Sequence, residues 1–220
     1  MENLERAAAA LKKGKIVIIY DGDQREGEAD MVFHASFATS QKIAKLRKEA
    51  GGLICLALGK KEGELLRLPF YTDLLRNCTM SKISCKKTPY GDEPAFSISV
   101  NHRKTYTGIT DEDRALTAKE MALCLAKKEP YDYFVKNFYS PGHLFLLKSR
   151  GIEKRKGHTE LATTLAAAAK KSEAVVLCEM LSNKKALTKK EAYKYAKKEG
   201  LVFIEGKEIV KWWKNENRNS

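Results

Sequence analysis

Apolar positions mark out the elements of this chain before any single residue suggests chemistry. Leu4, Ala7, Ala8 and Leu11 recur on one helical face, and Gly14 supplies the stop. Residues 15–20 then read as a strand and residues 31–35 as a second. Ser40 caps a predicted helix running to about residue 50, ended by Gly51-Gly52. Residues 53–58 are apolar throughout, as in a strand covered on both faces. Between 60 and 94 the periodicity weakens at Pro69, Pro89, Gly91 and Pro94, which predicts a short helix followed by irregular segments. Residues 95–100 alternate between apolar and polar, the pattern of a half-buried strand.

Thr117-Ala118-Lys119-Glu120 reads as a capping box that opens the next helix, and Ser140-Pro141-Gly142-His143 as a turn leading into a strand over 144–147. Gly157-His158-Thr159-Glu160 opens an alanine-rich helix to about residue 171. A strand over 174–178 follows, with Glu179 at its exit. A second capping box at Thr188-Lys189-Lys190-Glu191 starts a helix that stops at Gly200. A strand over 202–204 and a helix through Trp212 and Trp213 complete the chain. Helices alternate with strands, yet several strands follow one another directly. The pattern predicts an α+β or α/β fold, a mixed sheet packed by helices, in a single domain over 1–220.

Composition narrows the class. With 43% hydrophobic and 31% charged residues the chain reads as a soluble globular protein, and no apolar run approaches the roughly 18 residues of a membrane span. The charged N-terminus lacks a secretory core, which predicts a cytoplasmic protein. Five cysteines, odd in number and without a CxxC pair, read as free thiols rather than a disulfide or zinc framework. A net charge of +13 suits either nucleic acid or a small anionic substrate. No RNP, zinc-finger or KH signature supports the first.

Against that basic background, Asp21-Gly22-Asp23-Gln24-Arg25-Glu26-Gly27-Glu28-Ala29-Asp30 places five carboxylates in ten residues, between two apolar runs. Such a loop needs a cation to offset its self-repulsion. It is no EF-hand, since Arg25 and Val32 occupy ligand positions, and HExxH, Walker A and GxGxxG are absent. Polar groups cluster again at 101–113, at 140–143, at 155–160 and at Glu179. Arg155-Lys156-Gly157-His158-Thr159 precedes a helix N-terminus, a setting that favours a phosphate. His143 and His158 both lie at element boundaries. Together these residues point to a metal-assisted reaction on a phosphorylated metabolite.

Six segments, in order along nearly the whole chain, resemble the 3,4-dihydroxy-2-butanone 4-phosphate synthase family. They are Tyr20 to Asp30, Gly51-Gly52-Leu53-Ile54-Cys55, Thr107-Gly108-Ile109-Thr110-x-x-Asp113-Arg114, Ser140-Pro141-Gly142-His143, Arg155-x-Gly157-His158-Thr159-Glu160 and Cys178-Glu179-Met180. Gly22, Gln24 and Ala29 depart from the first motif. The resemblance implies a riboflavin-pathway lyase that converts D-ribulose 5-phosphate to L-3,4-dihydroxybutan-2-one 4-phosphate and formate. It implies two Mg²⁺ (or Mn²⁺) per active site and a homodimer with active sites near the interface. It makes Glu26 and His158 metal ligands. Arg25, Glu26, Asp30, Arg155, Lys156, Gly157, His158, Thr159 and Glu179 become substrate contacts, with Thr107 and Cys55 as pocket neighbours beside Asp111. His143, Glu179, Glu28 and Asp21 become the catalytic groups. A metal-dependent nucleic-acid-binding protein or nuclease, and an inactive family member serving as a binding module, are the alternatives.

Overall fold

The computed structural model describes residues 2–79, 81–83 and 88–217. Seven strands form one sheet: β1 (Val17–Tyr20), β2 (Ala29–His34), β3 (Cys55–Leu58), β4 (Phe96–His102), β5 (Phe138–Lys148), β6 (Ala174–Glu179) and β7 (Val202–Glu205). Their spatial order is β4-β5-β3-β6-β2-β1-β7. The β3–β5 and β1–β7 pairs are parallel and the rest antiparallel, so the sheet is mixed, as the element order predicts.

Helices cover both faces. On one side α1 (Glu2–Lys12), α7 (His158–Ala168) and α9 (Gly206–Glu216) pack on Val17, Ile19, Val32, Ala57, Val175 and Leu177. On the other, α2 (Ser40–Lys45), α5 (Asp111–Leu125), α6 (Pro130–Asn137) and α8 (Lys189–Lys198) cover Ile18, Met31, Phe33, Leu56 and Val176. Two short helices, α3 (Lys60–Leu65) and α4 (Tyr71–Arg76), flank the sheet. Burial on both faces explains why residues 53–58 and 174–178 read as unbroken apolar runs. Removing one such side chain, as in Leu56→Ala, costs about 2–5 kcal/mol. The alanine run of α7 has a related cause. Residues 158–166 are all buried, because this helix is wedged between the sheet, α1 and α9, and small side chains let the backbones approach.

Several local expectations are corrected. Thr39, not Ser40, caps α2, accepting from Lys42 N at 3.3 Å. That helix widens into one π-helical turn, Leu46–Ala50, before Gly51 stops it at φ 89°. Helix α5 begins at Asp111 behind Thr110, whose hydroxyl accepts from Asp113 N at 3.1 Å. Thr117 is therefore buried inside α5, where it bonds Asp113 O (2.9 Å) and caps the edge of β4 by accepting from His102 N (3.1 Å). The same residue pattern serves a cap or an interior bond, and packing decides which. Helix α6, with Pro130 in its first turn, lies where no helix is predicted. Phe96 is 36% exposed while Ser97 is buried and donates to Pro69 O at 2.6 Å, the reverse of the alternation. Ser140–His143 lie inside one continuous strand, across a cis Ser140-Pro141 bond. Among the described residues, Cys55, Cys124 and Cys178 are buried free thiols; Cys85 lies outside them.

Candidate active site

The acidic loop joins β1 to β2 and is organised by Asp21. Asp21 N donates to Glu28 O at 3.1 Å, closing the hairpin. Its carboxylate accepts from Glu26 N (3.1 Å), Glu28 N (3.0 Å) and Arg25 Nη1 (3.2 Å). Both oxygens are thus engaged in holding the loop, which argues against a proton-transfer role for Asp21. Gly27, at φ 68°, lets the chain turn so that Glu26 and Glu28 converge.

Sheet register gathers the remaining groups. Asp30 pairs with Ile19 on one side and Glu179 on the other, and Cys55 pairs with Leu177 and Phe145. Paired residues project to the same face, so Asp30 and Glu179 lie in one row on the side that carries α7. The β3–β5 pairing begins at Cys55↔Phe145, and His143 lies two residues before it on β5, outside the paired ladder.

His158, the first residue of α7, enters under this row. Its Nδ1 lies 3.5 Å from Glu26 Oε2, and its Nε2 lies 3.5 Å from Asp30 Oδ1 and 3.2 Å from Glu28 O. Burial disfavours the imidazolium, but the charges of Asp30, Glu26 and Asp21 outweigh it and lift His158 to about 9. Burial also dominates at Asp30, which rises to about 8 despite His158. Burial pushes Glu26 up as well. There, hydrogen bonds from His158 and Tyr90 and the charges of His158 and Arg25 prevail, and Glu26 falls to about 2. Glu28 is raised by burial and by Glu26.

These groups fit a cation. Asp21, Glu26 and His158 offer ligand atoms within 4.8 Å of one another. Asp30 is 1% exposed, and its Oδ1 has no hydrogen-bond partner among the described residues. A buried carboxylate oxygen left without a donor, beside two further carboxylates, is a cost that a hard divalent ion would remove.

The α7 N-terminus supplies the anion side. Gly157 is its N-cap, and Thr159 is buried in the first turn. Arg155 Nη1 donates to Glu160 Oε2 at 2.6 Å, and its guanidinium also approaches Asp92 (3.6 Å) and Glu26 (3.9 Å). A Cβ on Gly157 would meet Arg155 Nη1 at 2.2 Å, so the glycine makes room for the arginine. Arg25 bridges to Asp92 at 2.6 Å and stacks on Tyr90, 5.0 Å from the ring centre. Asp92 and Tyr90 come from the 60–94 stretch that sequence periodicity leaves irregular. Nothing in their spacing marks them. Lys156 is exposed and lines a neighbouring cavity of about 590 Å³ with Gln24, Lys207 and Lys211.

Glu179 is pinned by the glycine pair. Its Oε2 accepts from Leu53 N at 2.8 Å, its carbonyl accepts from Gly52 N at 3.0 Å, and a Cβ on Gly52 would come within 2.4 Å of that carboxylate. Cys55 is 1% exposed and belongs to the core on the α7 face. Burial, then Glu179 and Asp30, raise its thiol well above the usual range. It lies beneath the floor of the site, not at its rim. Asp111 is taken by a bidentate pair with Arg47 (3.0 and 2.7 Å) and by Arg114 (3.1 Å), so it is structural. Thr107 is exposed in the loop between β4 and α5, where its N–H and the neighbouring Gly108 N–H donate to Asp113 (3.2 and 2.8 Å).

Carboxylates lined up over a buried histidine, beside a helix N-terminus, make a site suited to a divalent cation next to a small anion, as in a metal-assisted enzyme. The sequence profile of 3,4-dihydroxy-2-butanone 4-phosphate synthase matches residues 5–212. A 3,4-dihydroxy-2-butanone 4-phosphate synthase of Methanosarcina mazei is 40% identical over 222 residues, covering 95% of this chain and 90% of that one. One of Methanothermobacter thermautotrophicus is 38% identical over 216 residues, covering 94% of each. A solved 3,4-dihydroxy-2-butanone 4-phosphate synthase in complex with two magnesium ions superposes with a TM-score of 0.77 at 26% identity, covering 96% of this chain and 95% of that one. The chain belongs to the 3,4-dihydroxy-2-butanone 4-phosphate synthase family.

Proposed function

We propose that this chain converts D-ribulose 5-phosphate to L-3,4-dihydroxybutan-2-one 4-phosphate and formate, a step of riboflavin biosynthesis. It acts as one cytoplasmic domain that pairs into a homodimer. The observation that carries the reading is the convergence of Asp21, Glu26 and His158 next to the unpartnered Asp30 oxygen. Glu26 and His158 hold magnesium or manganese, two ions per site, with Asp21 as a further oxygen donor. Bound there, the metal supplies Lewis-acid stabilisation of the oxyanion that develops at the substrate. Arg155 and the first N–H groups of α7, with Thr159 and Arg25, hold the phosphate and anchor the sugar away from the reacting carbons.

Removing the proton at carbon 3 gives an enediol, and loss of the carbon 1 hydroxyl needs an acid. Against burial, His158, Tyr90 and Arg25 bring Glu26 down to about 2, while burial lifts Asp30 to about 8, so one loop holds two carboxyls whose proton affinities are pushed apart. Glu28, raised in the same direction, and Glu179, fixed on the backbone of Leu53, stand beside them as proton carriers. His143 serves as a further proton carrier. The skeleton then rearranges, and water releases the former carbon 4 as formate.

The experiment is direct. Ribulose 5-phosphate carrying ¹³C at carbon 4, incubated with the protein and Mg²⁺, yields labelled formate by NMR. Labelled formate from a carbon 1 substrate, or no formate from folded, metal-loaded protein, overturns the proposal.

A further inference from the structure

We infer that Asn101 is the positioning residue for His143 and holds its neutral ring as the tautomer with the proton on Nε2. The inference rests on the reading of His143 as a proton carrier. Asn101 lies on β4, 1% exposed. The ladder between β4 and β5 slips there, from Val100↔Leu144 to Asn101↔Tyr139, so residues 140–143 bulge out of the sheet. Side chains replace the lost ladder bonds. Ser140 Oγ donates to Ser99 O (2.7 Å), Gly142 N to Ser99 Oγ (3.2 Å), and His143 N to Asn101 Oδ1 (2.8 Å).

The last bond assigns the amide. A backbone N–H can only donate, so the atom it meets is the oxygen of Asn101. The nitrogen then faces Tyr139 Oη at 3.0 Å, Thr107 O at 3.5 Å and His143 Nδ1 at 3.2 Å. The Thr107 carbonyl, which can only accept, agrees with that assignment. An amide nitrogen accepts nothing, so Nδ1 of His143 must present its lone pair, and the ring proton goes to Nε2. Two glycines make the arrangement possible. A Cβ on Gly142 would lie 2.0 Å from Val100 C, and one on Gly108 would lie 2.1 Å from Asn101 Nδ2. The amide is therefore enclosed between the bulge and the Gly108 loop, with no room to rotate. Asn101 itself touches no reacting group; it acts through the ring.

The test reads the tautomer first. In ¹⁵N-histidine-labelled wild-type protein, the neutral His143 ring gives the Nε2–H pattern; an Nδ1–H pattern overturns the inference without any variant. Asn101→Asp keeps the acceptor for His143 N–H but replaces the donor with a second acceptor. It is expected to move the ring to an Nδ1–H or doubly protonated form, and to lower kcat at least 30-fold with KM and Mg²⁺ affinity within threefold. A wrong tautomer in a catalytic triad costs up to ~10⁴ in kcat. An Asn101→Asp ring still in the Nε2–H form, or a kcat within threefold of wild type, overturns it. If the charge at 101 prevents folding, Asn101→Ala is expected to give a mixture of both tautomers, and a pure Nε2–H ring there overturns it too. His143→Asn separates the two readings. Full activity in that variant removes the catalytic role of His143, while the wild-type spectrum still decides what Asn101 does.

Discussion

The two histidines of the site are held in opposite ways. His158 is buried among Glu26, Asp30 and the Glu28 carbonyl, and charge governs its state. His143 is exposed on a bulge, and a neutral amide and a displaced ladder govern its orientation. One half of the site works by electrostatic field and depends on pH and on a cation. The other works by shape and depends on a few close backbone contacts. Substitutions should therefore separate cation binding from turnover, depending on which half they touch.

The largest effect is expected at Glu26. Glu26→Gln should lower formate release on the order of 10²–10⁴-fold, the loss of several kcal/mol of Lewis-acid stabilisation, and weaken Mg²⁺ binding at least tenfold in calorimetry. The melting temperature of the protein without added Mg²⁺ should fall at neutral pH, because, against burial, His158, Tyr90 and Arg25 hold the Glu26 carboxylate ionised and that ionisation stabilises the fold. His143→Ala should reduce formate release as well, yet leave Mg²⁺ affinity alone. If both variants lose the ion equally, the division between the halves is wrong.

Next is the coupling of metal and protons. His158 is raised to about 9 in the metal-free chain, so cation binding must displace its proton across neutral pH. Calorimetry in buffers of different ionisation enthalpy should show proton release near pH 7.5, and less of it in His158→Gln. The raised imidazole stabilises the fold fully below about 6.5, its unfolded value, and loses that contribution as pH climbs through about 9. Asp30, raised to about 8, adds a loss in the same direction from about 4 upward. Metal-free protein should therefore melt at progressively lower temperature from pH 6.5 to 9. A rise over that window would contradict the charge-governed half.

Gly142→Ala tests the other half. Its Cβ would overlap the Val100 backbone, so the bulge must shift, at a cost of about 1–3 kcal/mol by denaturant titration. Turnover should fall while Mg²⁺ binding persists. The smallest effects belong to Cys55. It should resist alkylation in the native protein and react only on unfolding, and Cys55→Ala should cost about 1 kcal/mol. Rapid modification of native Cys55 would place its thiol at the pocket edge after all.

The acidic loop was legible because its carboxylates are contiguous and stand against a basic chain; local spacing alone brings Glu26 and Glu28 together. The core strands were legible for a similar reason, since burial on both faces leaves an unbroken apolar run. The sheet class followed from the order of elements. Helix starts were less so, because a threonine three residues before an acid fits a cap and an interior bond equally, and Thr117 took the second.

What only the tertiary structure decided was adjacency across the sheet. The register that aligns Asp30 with Glu179 depends on a pairing between strands more than a hundred residues apart. Asp92 and Tyr90 reach Arg25 from an aperiodic stretch, and Asn101 meets His143 through a ladder slip. Sequence determines residue type and local period, and with them the elements and the charge of the loop. Which distant polar group meets which is set when the sheet closes and each buried donor must find an acceptor.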